Sequence, residues 1–257
     1  MSADPSFRSE LITAVFCDFE NLALGVEQDK KGRFEIELVL KRLLERGRIV
    51  FKRAYCDWSR FQNFTREFHL NGFEMVDIPR SSVSGKNSAD IRMVVDAIDL
   101  CYSKSHIDTF VLLTGDSDFS PLVSKLKENN KRVLGCGVRS STSDLLAGNC
   151  DEFIFYDDLI RVSERQQQRP KPKKAQEPKQ TEAFDRLLAT VTSLEKDYTT
   201  VWGSLVKQTV KRVYPGFDES YYGYRNFSDL LEHAAKEGLI TLELDEQRGN
   251  YRVRSVH

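Results

Sequence analysis

The amino-acid sequence predicts an α/β protein, with a doubly wound, mostly parallel β-sheet followed by a small winged-helix-like domain. Over residues 11–160, short apolar runs alternate with amphipathic stretches of helical periodicity. This alternation is typical of a parallel sheet covered by helices on both faces. From residue 183 onward the pattern changes to three helical stretches and a hairpin, which is the layout of a winged helix.

The strands of the predicted sheet are short runs rich in Val, Ile, Leu and Phe, as in strands whose two faces are both buried. They are Thr13–Asp18, Ile49–Cys56, Glu74–Ile78, Thr109–Thr114, Arg132–Val138 and Glu152–Tyr156. Helical patterns lie between them, at Glu35–Arg46, Ser59–Asn71, Ser88–Ser103, Phe119–Asn129 and Ser143–Gly148. The most regular helix begins at Ser88, which is a candidate N-cap because serine commonly caps helices.

The C-terminal region is predicted to fold from helices and a single hairpin. The helices are Phe184–Leu194, Val201–Val213 and Tyr224–Glu237. The hairpin pairs Leu239–Leu244 with Asn250–Val253 through the turn Asp245–Gly249. A domain of this layout usually binds nucleic acid or a protein partner.

The segment 163–182 separates the two predicted domains, which we place at 11–162 and 183–257. It has three prolines, no aromatic residue and no aliphatic residue larger than alanine. Such a segment cannot bury enough apolar surface to offset the entropy of ordering. With six basic and three acidic residues, it is the only basic block of a chain whose net charge is -1. We therefore expect a flexible, basic linker rich in Pro and Gln.

Composition limits the classes of protein that fit this chain. Of its 257 residues, 30% are charged and 40% hydrophobic, which is typical of a folded protein rather than a disordered one. No run approaches the roughly 18 apolar residues of a membrane span, and the first ten residues lack the apolar core of a secretory signal. We expect a cytoplasmic protein with no membrane partner. The scattered cysteines and histidines argue against a disulfide framework or a soft-metal site.

Acidic residues stand at the predicted carboxyl ends of strands, where open α/β sheets bind ligands. Asp18 closes the first strand, Asp116 and Asp118 follow the fourth, and Asp90 opens the long helix. Carboxylates brought together repel unless a cation neutralises them or their pKa values rise. Oxygen ligands without nearby Cys or His favour Mg²⁺ or Mn²⁺, as one or two ions. Such a site binds phosphate oxygens and activates water, so phosphodiester hydrolysis is the reaction that it predicts.

Structural interpretations of the same residues remain open at this point. An Asp after a strand often caps the next helix, and Asp118 or Asp90 could do that alone. Lys86 could contact a phosphate as a point charge, or it could be a solvated loop lysine. Ser117 could orient a water or satisfy its own turn. Two further phosphate candidates, with weaker support, stand near strand ends: Arg53 and Arg80.

Residues 11–160 resemble the NYN family, a branch of the PIN-like ribonuclease superfamily. The matching segments are Asp18-Phe-Glu-Asn21, Lys86-Asn-Ser-Ala-Asp90 with Asp96 farther along, Thr114-Gly-Asp116-Ser-Asp118-Phe119, and Ser140 to Asp144 followed by FIFYDDL. The resemblance implies that Asp18, Asp90, Asp116 and Asp118 bind the metal, and that Asn21 supports the first carboxylate or contacts substrate. Asp96 matches less closely. It lies well round the helix from Asp90, so it faces solvent or braces the site.

Residues 183–255 resemble the LOTUS (OST-HTH) family. The matching segments are Trp202 with Leu205-Val-Lys207, Tyr214-Pro-Gly-Phe217-Asp218, Tyr224 to Leu231, and Gly249-Asn250-Tyr251. That family is associated with RNA binding, including G-rich RNA, and in some members with protein partners. The basic residues of this region are Lys207, Lys211, Arg212, Arg225, Arg248, Arg252 and Arg254. Three tyrosines could stack on bases: Tyr221, Tyr222 and Tyr224. We expect four apolar residues to be core: Trp202, Phe217, Phe227 and Leu231.

These observations lead to one functional hypothesis and two alternatives. The leading hypothesis is a metal-dependent endoribonuclease, a hydrolase of single-stranded RNA, with RNA recruited by the C-terminal domain. The first alternative is an RNA-binding adaptor with a catalytically silent NYN fold. The second is a small-molecule phosphatase or nucleotide-binding enzyme on the same sheet. The turn after the first strand, DFENLALG, has no phosphate-binding glycine motif, so we rank this alternative last.

Overall fold

The computed structural model describes residues 11–29, 32–79, 87–167 and 178–256. The chain divides into two compact units. The first takes in residues 10–43 and 47–164, and the second is formed chiefly by residues 165–257. Within the described residues, no helix is both long and apolar enough to cross a membrane.

The first unit is built on a six-stranded parallel sheet. Its strands are β1 (Leu11–Asp18), β2 (Gly47–Cys56), β3 (Glu74–Asp77), β4 (Thr109–Leu113), β5 (Arg132–Gly137) and β6 (Glu152–Phe155). They lie in the order β3-β2-β1-β4-β5-β6, and every neighbouring pair is parallel. The order reverses direction between β1 and β4, which makes that boundary the switch point of a doubly wound sheet. The predicted fold class is confirmed.

The α-helices of the first unit are α1 (Phe19–Gln28), α2 (Ile36–Leu44), α3 (Gln62–Leu70), α4 (Ser88–Ser103), α5 (Ser120–Glu128), α6 (Asp144–Asn149) and α7 (Tyr156–Gln167). Helices α1 to α6 connect consecutive strands of the sheet, and α7 follows the last strand. Two of them, α1 and α7, were not predicted. Helix α1 begins directly after Asp18, which closes β1 and also caps the helix, so no loop residues mark its start. Helix α4 has the predicted bounds, but Ser88 is its first residue and the N-cap is Asn87.

The central strands are buried on both faces because the sheet lies between two apolar cores. In β1, Val15 and Cys17 belong to one core, while Ala14 and Phe16 belong to the other. This is the two-residue alternation of a strand. The edge strand β3 is only partly buried, since one of its sides has no neighbouring strand in the sheet. All five cysteines lie in the described part of the chain as buried free thiols.

The second unit contains three helices followed by a hairpin, in the predicted order. The elements are α8 (Pro178–Asp197), α9 (Gly203–Val213), α10 (Phe227–Lys236), β7 (Ile240–Asp245) and β8 (Asn250–Ser255). The two strands are antiparallel. The unit has its own apolar core, whose members include Phe184, Leu187, Phe217, Phe227 and Leu230.

Some side chains of the second unit differ from the prediction. Tyr222 and Tyr224 are 4% and 7% exposed and belong to the core, so they are not free to stack on bases. Tyr221 is 57% exposed. Trp202, predicted to be core, is only partly buried. Its ring lies under the guanidinium groups of Arg248 and Arg252, at 5.1 and 5.4 Å from the ring centre.

The predicted linker 163–182 is helical at both ends. Helix α7 continues through Gln167 and α8 begins at Pro178, while residues 168–177 lie outside the described part of the chain. Glu, Arg and Gln are good helix formers even where no apolar face is present. Proline is tolerated at the first position of a helix, where its missing N–H costs nothing. The low apolar content of segment 163–182 therefore did not prevent its two ends from forming helix.

Candidate active site

Two of the predicted acids follow the ends of neighbouring strands at the switch point. Asp18 is the last residue of β1, and Asp116 follows the end of β4, whose Leu113 pairs with Cys17. Each also caps the helix that follows it. Asp18 accepts the backbone N–H of Asn21 (3.3 Å), and Asp116 accepts that of Asp118 (2.9 Å). The capping roles considered for Asp118 and Asp90 are not theirs, because Asp118 lies inside the turn that Asp116 caps and the N-cap of α4 is Asn87.

A buried threonine connects these two acidic residues. The hydroxyl of Thr114 donates to Oδ2 of Asp18 (3.0 Å) and accepts the backbone N–H of Asp116 (3.2 Å). Thr114 is fully buried, so its rotamer is held by packing as well as by both bonds. The sequence alone indicates no separate role for Thr114. Its position between the end of β4 and the pair of aspartates is the signal that could have identified it.

Asn21 braces the same region from α1. Its backbone N–H bonds to Asp18, and its side-chain Oδ1 accepts the backbone N–H of Gly115 (2.8 Å). The loop after β4 is therefore tied to the start of α1. Of the two roles that the resemblance offered for Asn21, these contacts are those of a residue that supports the first carboxylate.

Gly115 lies where three chain segments meet. Its N–H donates to Asn21, and its carbonyl accepts the backbone N–H of Ser143 (2.9 Å). A Cβ atom at this position would lie 2.5 Å from the carbonyl oxygen of Ser141 and 2.9 Å from Cα of Thr142. Both of those atoms belong to the backbone and cannot rotate away. The close approach of the loops after β4 and β5 therefore requires glycine here.

Asp90 and Asp118 complete the predicted set. Asp90 lies in the first turn of α4 and is partly buried. Asp118 lies in the 3₁₀ helix Ser117–Phe119 after β4 and is exposed. The two residues therefore come from chain segments that are distant in sequence. The charge of Asp118 raises the pKa of Asp90, so the fold brings these two residues to the same region.

Burial and mutual repulsion shift the pKa values of these acids. Burial, followed by the charges of Asp90 and Asp116, raises the pKa of Asp18 to about 7, against the bonds from Asn21 and Thr114 that lower it. Burial, followed by the charges of Asp116, Asp118 and Glu20, raises the pKa of Asp90 to about 6. The four predicted carboxylates therefore form one electrostatically coupled group.

Glu20 is a further acid of this group that the sequence analysis did not single out. It lies in the first turn of α1, two residues after Asp18, and its charge raises the pKa of Asp90. Arg60 forms an ion pair with it at 2.7 Å. Its place inside the segment Asp18-Phe-Glu-Asn21 was the available signal.

The donor set fits a hard divalent cation. It consists of carboxylate oxygens, which suit Mg²⁺ and Mn²⁺, and the raised pKa values show a repulsion that a cation would relieve. Within the described residues, no three acidic, histidine or cysteine side chains are close enough together to hold an ion directly. Mg²⁺ usually keeps several water ligands and takes only one or two carboxylates from the protein, so the arrangement remains compatible with it.

Of the polar and basic candidates Ser117, Lys86 and Arg80, only Ser117 lies in the described part of the chain. Ser117 is partly buried and borders a depression of about 480 Å³. The depression is lined by Ser117, Asp118, Ser120, Pro121, Ser124 and Leu145. Lys86 and Arg80 lie outside the described residues.

Arg53 and Asp96 are engaged with each other rather than with the candidate site. Arg53 forms ion pairs with Asp96 (2.8 Å) and Glu74 (2.6 Å). Asp96 also accepts the hydroxyl of Tyr55 (2.9 Å) and bonds with Arg92 (3.0 Å). Arg53 is therefore not available as the phosphate contact that was considered. Asp96, only 12% exposed, anchors α4 to β2 instead of facing solvent.

Comparison with known families identifies the first unit. The model of the NYN domain family matches residues 12–158, which is more than half of the chain and covers every candidate acid. The chain belongs to the NYN domain family.

The chain is also similar to proteins of two other organisms. An uncharacterized protein of Methanocaldococcus jannaschii is 27% identical over 145 residues, which are 56% of this chain and 57% of the archaeal protein. The matched region is thus little more than half of that relative. The crystal structure of a protein of unknown function from Vibrio parahaemolyticus is 25% identical and has a TM-score of 0.52. The matched region covers 60% of this chain and 97% of the Vibrio chain.

The NYN domain family includes ribonucleases. Membership therefore supports a nuclease-like or RNA-related function for this chain. The acids described above lie on the NYN domain at the edge where its fold class binds ligands.

Proposed function

We propose that this chain is a Mg²⁺- or Mn²⁺-dependent endoribonuclease that hydrolyses phosphodiester bonds of single-stranded RNA. The observation that carries the proposal is the coupled group of Asp18, Asp90, Asp116 and Asp118 at the switch point of an NYN fold. Buried acids that raise one another's pKa lower the free energy of unfolding when they are ionised. Such groups cluster at functional sites.

In this proposal the four aspartates hold one or two ions, in part through water ligands of the metal. When bound, the metal supplies Lewis acidity toward a phosphate oxygen and lowers the pKa of a bound water. Thr114 and Asn21 fix the carboxylate of Asp18, since both of its oxygens are engaged. Asp118, which is exposed, is the acid most accessible to a substrate. Lys86 contacts a phosphate of the RNA.

The depression beside Asp118 supports a substrate position next to the acids. The hydroxyls of Ser117 and Ser124 can bond with ribose or base edges, whereas the hydroxyl of Ser120 is buried. Pro121 and Leu145 present apolar surface. Leu145 is 61% exposed. In this proposal, a nucleotide next to the scissile phosphate lies here, and Ser117 bonds with it or with the attacking water.

We further propose that the second unit is a LOTUS (OST-HTH) domain that recruits RNA, with G-rich RNA as the first candidate and a protein partner as the alternative. Its exposed Tyr221 lies under Lys179, at 4.4 Å from the ring centre, and an exposed ring can stack on a base. Lys207 and Lys211 both pair with Glu219, so part of the basic surface is neutralised internally. We therefore expect modest, salt-sensitive affinity.

The deciding experiment is cleavage of a labelled single-stranded RNA by the full chain with Mn²⁺, Mg²⁺ or EDTA. The Asp18→Asn/Asp116→Asn double variant is compared with Asp144→Asn, which changes an exposed acid of α6. We expect metal-dependent cleavage that only the double variant abolishes. If well-folded wild-type protein bound RNA without cleaving it, the endoribonuclease proposal would be wrong, and the silent adaptor would replace it.

A further inference from the structure

Helix α4 presents an apolar stripe to solvent on the side away from the core. Ile91, Val95 and Tyr102 are 64%, 56% and 62% exposed, and Ile98, which lies between them, is partly buried. The spacing of four, three and four residues places all of them along one side of the helix. Single exposed apolar residues are ordinary, but a continuous row of large ones marks an interaction surface.

The ring of Tyr102 is held in place at one end of this stripe. Its hydroxyl accepts a bond from the amide of Asn129 (3.4 Å). The other side of α4 is committed to the core through Met93, Ala97 and Cys101. The stripe is therefore a fixed surface of the NYN domain, and it is not a segment of helix that could turn its apolar side inward.

Two opposite charges border the stripe on the same flank. Arg92 and Asp99 are separated by seven residues, which is close to two helical turns, so they project in nearly the same direction. They stand about 10 Å apart along the axis and cannot meet within one helix. Arg92 is 57% exposed and contacts Asp96 through Nε. Asp99 is exposed, and no ion pair among the described residues involves it.

We propose that this surface pairs with the same surface of a second copy of the chain. In a two-fold symmetric pair, contacts occur twice, with the residues exchanged between the copies. In this pair the two α4 helices pack antiparallel, and the two-fold symmetry axis crosses them at right angles between Val95 and Asp96. Arg92 of each copy then faces Asp99 of the other, and Ile91 packs between Ile98 and Tyr102 of the second copy.

The charge pattern of this flank is complementary to itself in the antiparallel arrangement, which is the argument for a second copy as the occupant. An antiparallel two-fold keeps the same flank of both helices on the same side, so both Arg92–Asp99 pairs form together. A parallel two-fold pair would instead place this flank on opposite sides of the two helices, so no Arg92–Asp99 pair would form. One helix pair of 16 residues, about 24 Å long, is smaller than a standard stable interface. We therefore expect a weak dimer, with a dissociation constant on the order of 10 µM.

The test is sedimentation equilibrium of the full chain at up to about 100 µM, well above the expected dissociation constant. Arg92→Asp and Asp99→Arg should each weaken self-association at least about tenfold, because each places like charges opposite one another twice. Mixing the two variants should restore a dimer of wild-type affinity, since every facing pair is then again of opposite sign. Circular dichroism verifies that both variants are folded.

Arg161→Asp is the matched control, because Arg161 is a 61% exposed helical residue with a local partner, Asp158. We expect it to leave association unchanged. Val95→Glu, in the middle of the stripe, should abolish association in both the presence and absence of salt. The proposal is wrong if the wild-type chain stays monomeric throughout the concentration range, or if it dimerises and the mixture of Arg92→Asp and Asp99→Arg fails to recover. Either result would assign the stripe to some other partner.

Discussion

Asp18 has a structural role in addition to the chemical role proposed for it. One carboxylate oxygen caps α1 through the N–H of Asn21, and the other accepts the hydroxyl of Thr114. These bonds favour the ionised form, but burial and the charge of Asp90 outweigh them and raise the pKa to about 7. A residue in this position is therefore poised to gain or lose a charge near neutral pH, depending on whether a cation is present.

Asp116→Asn should abolish metal-dependent cleavage and leave the fold nearly intact. The amide oxygen can still accept the N–H of Asp118, so the cap is retained while the charge is lost. Cleavage rate and thermal unfolding, measured beside Asp144→Asn, separate the two effects. A variant that cut RNA at the wild-type rate would remove Asp116 from the site.

Thr114→Val tests positioning. Valine has nearly the same shape but cannot bond with Asp18 or with the N–H of Asp116, so we expect an activity loss of about 10–100-fold and a higher metal requirement. The control is Thr109→Val, since Thr109 is equally buried at the other end of β4 and its hydroxyl also bonds with an aspartate, Asp108. If both variants lost activity equally, the effect would be one of stability alone.

The acids should make stability fall with rising pH when no metal is present. The pKa of Asp18 rises from an ordinary 3.8 to about 7, so between these values the folded state holds a proton that the unfolded state has lost. Stability from this group is complete below about pH 4 and is lost as pH rises through 7. In EDTA, the melting temperature should therefore decline more from pH 5 to pH 8 in wild type than in Asp18→Asn.

Added Mg²⁺ should reverse this decline at pH 8 and have little effect at pH 5, where protonated carboxylates cannot bind it. A relief of one pKa unit is about 1.4 kcal/mol, or roughly 3–6 °C in a domain of this size. Thermal unfolding with and without EDTA measures the shift independently of catalysis. An equal Mg²⁺ effect in Asp18→Asn would show that the ion binds elsewhere.

At the scale of elements, three chain segments meet at Gly115: the loop after β4, the start of α1 and the segment before α6. The start of α1 bonds to its N–H through Asn21, and the segment before α6 bonds to its carbonyl through Ser143. Helix α4 reaches the same edge with Asp90 and is secured farther along by Asp96, which bonds with Arg53 and Tyr55 of β2. The acids are therefore carried on elements that are fastened to one another.

Gly115→Ala should destabilise the protein by about 1–3 kcal/mol and lower activity. The added Cβ would press on backbone atoms of Ser141 and Thr142, which would displace the loop that carries Asp116. Gly148→Ala is the control. A Cβ there meets nothing within 4 Å, and Ala is the better helix former by about 1 kcal/mol. Chemical denaturation and cleavage of both variants test this, and a silent Gly115→Ala would contradict the close packing.

At the scale of the whole molecule, the strand order decides where the site lies. The reversal between β1 and β4 places the ends of two strands side by side, and helices leave them toward opposite faces of the sheet. The second unit has a separate apolar core that shares no residue with the two cores of the NYN domain. Chemistry and RNA recruitment can therefore be tested separately.

Deleting residues 183–257 should weaken RNA binding more than it lowers cleavage of saturating RNA. The deletion removes one complete core and leaves the other two intact, and two weak sites on one chain reinforce each other through effective concentration. Affinity titrations at several salt concentrations and single-turnover cleavage provide the comparison. Unchanged affinity after deletion would favour a protein partner for the second unit.

Local patterns in the sequence were sufficient for most of the fold. Strands appear within two residues of their predicted bounds because their apolar runs are local, and α4 has its predicted bounds because its periodicity is strong. The positions of the four acids relative to strands and helices were predicted as well. Helix α1 was missed because its cap, Asp18, is also the last residue of β1, so no local signal separates the two elements.

Tertiary structure alone decided which residues meet. Asp18 and Thr114 are 96 positions apart, and only the order of the strands joins them. Arg53 appeared available for phosphate until its pairing with Asp96, 43 positions away, was visible. The buried face of a helix or strand can be predicted from the sequence, because it follows from the spacing of apolar residues within that element. Hydrogen-bond partners and pKa values depend on contacts between distant segments, and these exist only after the chain has folded.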